Sequence, residues 1–527
     1  MKENQKTSLD LNITRPEARR GNWKTVVITL VFILVLALAL RLYNLNLLPV
    51  FVDEAIYIRW SQIMAAESSL RFLPLSDGKQ PLFMWALMFV VRRFADPLFI
   101  GRLISVVSGV GTVIGLFFLT YNLFKSRFAA LLSALIWAIS PFSLFFDRMA
   151  LVDSMLASLG VWTILFAVLT SKTKRLDFAI ITGFLLGLSM LTKSPALFLL
   201  LLMPSTWLLV RKPIRLIKLG ALTLLSWIIA FGMFNILRLG PNFHLLAQRN
   251  LDYVYPYDHI LTSPLNPLMG HLGGIWGYFV MLAPVGLIFL IILGFLENRA
   301  KFMKEILLLM ILGLAPILIV AEYSKVVTAR YILFALPFLV VLAGSAVLVK
   351  KNMVKAVVWA ALLMFFVQSL FIDSKLLIDV EAAPLPQGER SGYLEEWTAG
   401  QGIREISEYI KSEHAKNTDV KIVIGTEGYF GTLPDGLQMY LEGVENVITI
   451  GIGLGIDKVP ESLAESKKSG NKTYLVINKS RLVEDPDKIG LDLIASFPKA
   501  LRKVGSIEYE RMGPQEILYF FEVVKAD

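Results

Sequence analysis

Four stretches of the chain set ionisable side chains against apolar runs in ways that suggest chemistry. In Phe51-Val52-Asp53-Glu54-Ala55-Ile56-Tyr57-Ile58-Arg59-Trp60, two adjacent carboxylates open a segment whose apolar residues Ile56, Trp60, Ile63 and Met64 have the spacing of a helix lying in a membrane interface. The structural alternative makes Asp53 an N-cap and Glu54 a complement to the helix dipole, and a cap would itself fix a carboxylate in place. In Asp77-Gly78-Lys79-Gln80-Pro81-Leu82-Phe83-Met84-Trp85, a lysine precedes a proline-started apolar helix. Its ammonium can be aimed at a phosphate, or it can snorkel to a membrane boundary. Arg102, in Gly101-Arg102-Leu103, stands near the outer end of the next apolar run, where snorkelling is again the plain alternative. The fourth stretch runs from Ser140-Pro141 through Asp147-Arg148 to Asp153-Ser154. Asp147 and Arg148 can form a local pair, whereas Asp153 is flanked by Val152 and Met155, and charges this close to apolar spans usually face a cavity or a partner.

The elements that must position these residues are membrane spans. The chain is 55% hydrophobic and 18% charged over 527 residues, with several apolar runs near the length that crosses a hydrocarbon core. The first, 25–41, lacks a small-residue cleavage pattern and is expected to be retained as a helix. The absence of cysteine excludes disulfides and thiolate chemistry, and four histidines leave little for a histidine-built metal site. The formal charge of +10 is explained by sidedness, not by nucleic acid. Basic clusters in the N-terminal tail (Lys2, Lys6, Arg15, Arg19, Arg20, Lys24), at Lys125/Arg127, Lys172/Lys174/Arg175, Arg211/Lys212/Arg215/Lys218, Arg299/Lys301/Lys304 and Lys350/Lys351/Lys355 mark the cytoplasmic side.

Between these clusters lie apolar segments at 25–41, 98–120, 128–146, 154–170, 177–192, 196–210, 219–237, 272–294, 305–321, 329–349 and 354–372, about eleven spans. The expected fold is therefore a mainly α-helical polytopic membrane protein with a C-terminal α/β domain. Residues 1–24 form a cytoplasmic tail, 25–372 a transmembrane domain whose first outer loop is 42–97, 373–398 a linker, and 399–527 an extracytoplasmic domain. Pro81–Val91 is too short to span and reads as an interfacial or re-entrant helix. In the C-terminal domain, strands are expected at 420–424, 447–450, 474–477 and 518–523, and helices at 402–414, 433–441 and 488–496. Gly451-Ile-Gly453-Leu-Gly455 has the wrong spacing for a dinucleotide fingerprint and reads as a loop.

Taken in order, the Asp-Glu pair, Lys-x-Pro-Leu-Phe-x-Trp, Gly-Arg-Leu-x-Ser, Ser-Pro followed by Arg-Met-x-x-x-Asp, and Leu191-Thr192-Lys193-Ser194-Pro195 resemble glycosyltransferase family 39. This group comprises protein O-mannosyltransferases and their prokaryotic relatives, including lipid A aminoarabinose transferases, with the GT-C membrane fold. The resemblance covers roughly residues 25–350 and extends to Arg330-Tyr331 at the start of a late helix. The chain departs in having Gln80 where relatives often carry a second proline, and Ser194 where glycine is common.

The resemblance implies inverting transfer of a mannose-like or other sugar from a polyprenyl-phosphate donor to the hydroxyl of a protein or lipid acceptor at the outer face of the bilayer. Asp53 is then the candidate base, and Lys79 and Arg330, with Tyr331 beside it, the candidate phosphate ligands; Arg102 and Arg148 are further candidates. Asp153 would orient the acceptor or Asp53's partners, and Glu54 would hold a sugar hydroxyl or a divalent cation, the one cofactor considered. The stretch 242–266, with Tyr253, Tyr255, Tyr257 and His259, offers rings to stack a sugar, or an interfacial aromatic belt. A secondary transporter or flippase is the competing reading, but the paired broken half-helices that would support it are not evident. A binding module with a membrane anchor is disfavoured because so many spans exceed an anchor's needs.

The charge pattern makes a topological prediction. With cysteines placed singly into this cysteine-free chain, an impermeant thiol reagent applied to intact cells should label Gly470→Cys and leave Lys351→Cys unlabelled; the opposite pattern would invert the topology.

Overall fold

The structure is a computed structural model and describes residues 23–210 and 216–525. Of the expected basic clusters, Lys2, Lys6, Arg15, Arg19, Arg20, Arg211, Lys212 and Arg215 lie outside the described residues, as does the side chain of Tyr257. Among the described residues six helices are long and apolar enough to cross a membrane: Trp23–Leu42, Pro97–Phe124, Val152–Thr173, Leu216–Leu239, Val285–Tyr323 and Asn352–Ile378. The expected run at 128–146 is two helices, Arg127–Ala138 and Pro141–Asp147, bent by 56°. Pro141 starts the second because its missing N–H and fixed φ suit a first helical turn and not a helix interior. Four shorter apolar helices, Leu176–Thr192, Ala196–Leu209, Leu268–Leu282 and Leu336–Leu348, occupy other expected runs.

One expected boundary is wrong. The run at 272–294 is interrupted after Leu282, where Ala283 is extended and Pro284 caps the next helix, as a proline and its predecessor require. That next helix breaks again at Phe302, whose backbone is non-helical, so its second half covers the expected 305–321 segment.

The first loop, expected at 42–97, folds into a helix, Val52–Ala66, a short helix, Leu82–Met88, and three 3-10 turns, Ser68–Leu70, Leu73–Asp77 and Val91–Arg93. Asp53 does not cap the first of these. The N-cap is Phe51, whose N–H donates to Glu54 Oε2 at 3.0 Å, and Asp53 falls one turn position further in.

Glu54 and Arg102 form a fully buried pair that organises this region. Arg102 Nε and Nη2 donate to the two carboxylate oxygens, each at 2.8 Å, and the remaining N–H groups donate to the carbonyls of Leu45, Leu48 and Pro49. Glu54 Oε1 also accepts the Ala150 N–H at 2.7 Å. A second buried pair, Arg41 with Asp147 at 2.9 Å, ties the end of the first helix to the bent pair. Gly109 faces Asp147 so closely that a Cβ there would overlap the carboxylate. Arg148 donates to the carbonyls of Leu40 and Asn44, so it closes the C-terminus of the first helix.

Among the described residues there are seven strands, one in the first loop and six in the C-terminal domain. Strands β1 (Val50–Phe51) and β2 (Ala399–Gly400) make a two-rung antiparallel ladder that joins the first loop to this domain. Strands β3 (Ile422–Thr426), β4 (Val447–Gly451), β5 (Lys472–Asn478), β6 (Leu491–Pro498) and β7 (Ile517–Val523) form one sheet in the order β4-β3-β5-β7-β6, with β3, β4 and β5 parallel. Helices Ile403–Lys416, Thr432–Tyr440 and Glu461–Lys468 accompany it. The helix expected at 488–496 is instead β6. A register shift between Leu493 and Ala495 doubles one position and disturbs the alternation, leaving apolar residues at a spacing that imitates a helix.

The residues expected to be a linker are packed. Glu389, Tyr393, Leu394 and Glu395 are buried, and Tyr393 packs against Phe51 with ring centroids 4.5 Å apart and planes tilted by 55°. The domain also reaches the first loop through stacked Trp60 and Phe430 rings at 5.7 Å, and through Glu442, which pairs with both Arg59 and Arg92.

A charge buried with its partner removed is costly, by about 3–5 kcal/mol. Arg102→Leu should therefore lose much of the folded protein, whereas Arg92→Leu, at a half-exposed pair, should not; thermal unfolding of the two variants in detergent separates them.

Candidate active site

A cavity of about 490 Å³ opens where the first loop, the turn after Leu176–Thr192, the end of Val285–Tyr323 and the Arg330 turn converge. Its polar lining includes Asp53, Tyr57, Lys79, Gln80, Lys193, Ser194, Arg249, Arg330 and Tyr331. Its apolar lining includes Leu197, Phe198, Leu201, Ile319 and Val320.

Asp53 is the centre of the charged group. Its Oδ1 takes Lys79 Nζ at 3.1 Å and its Oδ2 takes Arg330 Nη1 at 2.7 Å, although Arg330 lies 277 residues away in sequence. Burial pushes the carboxyl up, but Lys79 and Arg330 together outweigh it and hold Asp53 well below the usual carboxylate range. The opposite balance acts on Lys79: burial works against its charge, while Tyr57, Asp53 and Asp77 raise it above the ordinary lysine range. Lys79 also lies over the rings of Tyr57 and Trp60, at 5.0 and 5.7 Å from their centroids.

The backbone before Lys79 turns sharply. Gly78 has φ +63°, and a side chain there would also collide with Arg249. Arg249 stands on the helix Leu245–Tyr253, pairs with Asp77 at 3.7 Å and Asp252 at 3.1 Å, and brings a cation to the rim of the cavity.

Asp153 sits just behind the lining, next to Val152, and its Oδ1 takes Lys193 Nζ at 2.6 Å. Lys193 lies 4.8 Å over the Tyr331 ring. Burial lowers Lys193, and Asp153 only partly restores it. Lys193 stands in a motif used for the resemblance, yet it was not among the expected site residues; a lysine held between two apolar runs was the available signal.

Gln80 and Ser194, the two departures from the family motifs, meet each other, with Gln80 Nε2 donating to Ser194 Oγ at 2.8 Å. Their side chains place an amide and a hydroxyl on the wall between Lys79 and Lys193.

The structure thus gathers Asp53, Lys79, Arg330 and Tyr331 around one cavity, with Asp153 beside them. It keeps Glu54, Arg102 and Arg148 away from it. The guanidinium of Arg102 is used up on Glu54 and three carbonyls, and Arg148 is committed to carbonyls at the end of the first helix, so neither is available to a phosphate. Glu54 does not suit a divalent cation, because both its oxygens face Arg102 and backbone N–H groups. Among the described residues no group of three or more histidine, aspartate or glutamate side chains has metal-site geometry. Of the aromatic stretch, Tyr253 lines the cavity, while Tyr255 and His259 stack on each other at 4.1 Å.

Residues 78–236 match the sequence model of the family described as dolichyl-phosphate-mannose-protein mannosyltransferase. No curated protein matches the chain by sequence. Among solved structures, the chain is similar to ArnT from Cupriavidus metallidurans in the apo state, with TM-score 0.55 and 15% identity over 95% of this chain and 98% of that one. It is similar to the same protein bound to undecaprenyl phosphate, with TM-score 0.57, 15% identity and the same coverage of 95% and 98%. At such identity the likeness establishes the fold, the GT-C arrangement that the motifs led us to expect, and the family match rests on residues 78–236.

Proposed function

We propose that this protein is a membrane glycosyltransferase that moves a sugar from a polyprenyl-phosphate carrier to a hydroxyl of a protein or lipid acceptor outside the cytoplasm, with inversion at the anomeric carbon. The observation that carries the reading is a single carboxylate, Asp53, clamped by Lys79 and Arg330 at the mouth of a cavity with one apolar wall. Leu197, Leu201 and Ile319 belong to that wall and are 51%, 59% and 44% exposed on the outer surface, so the cavity is continuous with a lipid-facing flank that suits a polyprenyl chain. Undecaprenyl phosphate in the similar ArnT structure supports a lipid phosphate as the ligand.

Asp53 then has two states. Without donor it is the anion that Lys79 and Arg330 neutralise, and as their partner it is a weak base. A donor phosphate competes for the same two cations. As it draws them off, the burial that was masked raises the affinity of Asp53 for a proton, and the carboxylate becomes able to accept the acceptor's hydroxyl proton. Lys79 and Arg330 meanwhile face the negative charge that grows on the departing phosphate, in surroundings where water screens little. The Asp153–Lys193 pair flanks this point and orients the acceptor.

The reading makes a signed prediction. Asp53→Asn should lower turnover about 10²-fold or more, the usual worth of a general base, and leave affinity for undecaprenyl phosphate unchanged or tighter, because a competing anion is gone. Lys79→Ala and Arg330→Ala should each reduce kcat/KM for the lipid-linked sugar at least about tenfold, about 1.4 kcal/mol, and the double variant should depart from additivity. Incubation of purified protein with radiolabelled polyprenyl-phosphate sugars and membrane extract measures both; near-normal transfer by Asp53→Asn returns that residue to a purely structural part.

A further inference from the structure

Arg330 is delivered by very little backbone. Ala329–Ile332 is one 3-10 turn, preceded by the extended residue Thr328, and the Thr328 hydroxyl does not cap it. A guanidinium on such a turn keeps its aim only if something else holds the turn.

That hold comes from the segment after the last long helix. Glu389, on the short helix Gln387–Arg390, is 3% exposed, and its Oε1 accepts the Ala329 N–H at 2.7 Å. Tyr393, one helical turn further on, is also buried beside the Glu389 carboxyl. Its ring packs on Phe51, and the Arg330 guanidinium lies over the same Phe51 ring at 5.5 Å. Phe51 in turn precedes the helix that carries Asp53, so Glu389, Tyr393 and Phe51 form a rear support for both members of the Asp53–Arg330 pair. Lys193, paired with Asp153, lies over the ring of Tyr331, the residue that follows Arg330.

We infer that Glu389 is a positioning residue for the transfer site, anchoring the Ala329 amide so that Arg330 meets Asp53 and, in the functional reading on which this inference rests, the donor phosphate. The role belongs to the hydrogen bond and not to the charge. An anchor of this kind is satisfied by any acceptor oxygen at the right reach. A charge role would instead need a carboxylate and tolerate a change of length.

The two roles predict opposite rankings for conservative variants. In purified full-length protein in detergent, with undecaprenyl phosphate as probe, Glu389→Gln keeps an acceptor at the same reach and should bind within about twofold of wild type. Glu389→Asp withdraws the acceptor by one methylene and should bind about fivefold more weakly, the size of one net hydrogen bond. Combined with Arg330→Ala, Glu389→Asp should add no further loss, since the anchor acts through that arginine. A ranking in which Asp binds as wild type and Gln does not, or an equal loss in the Arg330→Ala background, overturns the inference. Wild-type protein that fails to bind the probe overturns the donor reading and this inference with it, and that outcome is seen before any variant is compared.

Discussion

The buried Glu54–Arg102 pair is the constraint from which the arrangement of the site follows. Two charges removed from water are tolerated only with nearly complete hydrogen bonding, and here the carboxylate and guanidinium engage each other twice and spend their remaining capacity on the backbone of Leu45, Leu48, Pro49, Phe51 and Ala150. Adjacent residues on a helix point about 100° apart. With Glu54 held inward against Arg102, Asp53 is turned toward the cavity. The Asp-Glu dipeptide thus divides its work: one carboxylate builds the scaffold and the other is presented by it.

The cavity repeats the same economy of charge on a smaller scale. Lys79, Lys193, Arg249 and Arg330 would repel one another strongly around an empty centre, and Asp53, Asp153 and Asp77 separate them. Each of these cations has a carboxylate partner. An incoming anion need not organise the cations; it has only to replace a carboxylate that is already there. Preorganisation of this kind lowers the cost of binding and supports stabilisation of developing charge.

Much of this was legible in the sequence because membrane proteins punish unexplained charge. Asp53, Lys79, Asp153 and Arg330 each stand against an apolar run, and that local contrast picks them out. The same contrast picks out Arg102 and Arg148, and nothing local separates a guanidinium facing a ligand from one facing carbonyls; only the tertiary partners do. Glu389 escaped for the converse reason. It lies in a proline- and charge-containing stretch whose composition reads as solvated connector, and its burial depends on Ala329 and Tyr393. The helix expected at 488–496 failed because a bulge rewrites the period that distinguishes strand from helix.

The two-rung ladder between Val50–Phe51 and Ala399–Gly400 carries an implication for how the protein is made. Its strands come from opposite ends of the chain, as do Arg59 and Glu442, which are 383 residues apart. A nascent chain still emerging from the ribosome can insert its first helices but has nothing to close the ladder with, and the edge of Val50–Phe51 stays unpaired until the final segment has been synthesised and brought to the same side of the bilayer. The wall of the cavity that the first loop provides is thus braced by residues made much later, and that brace can close only after they have been synthesised.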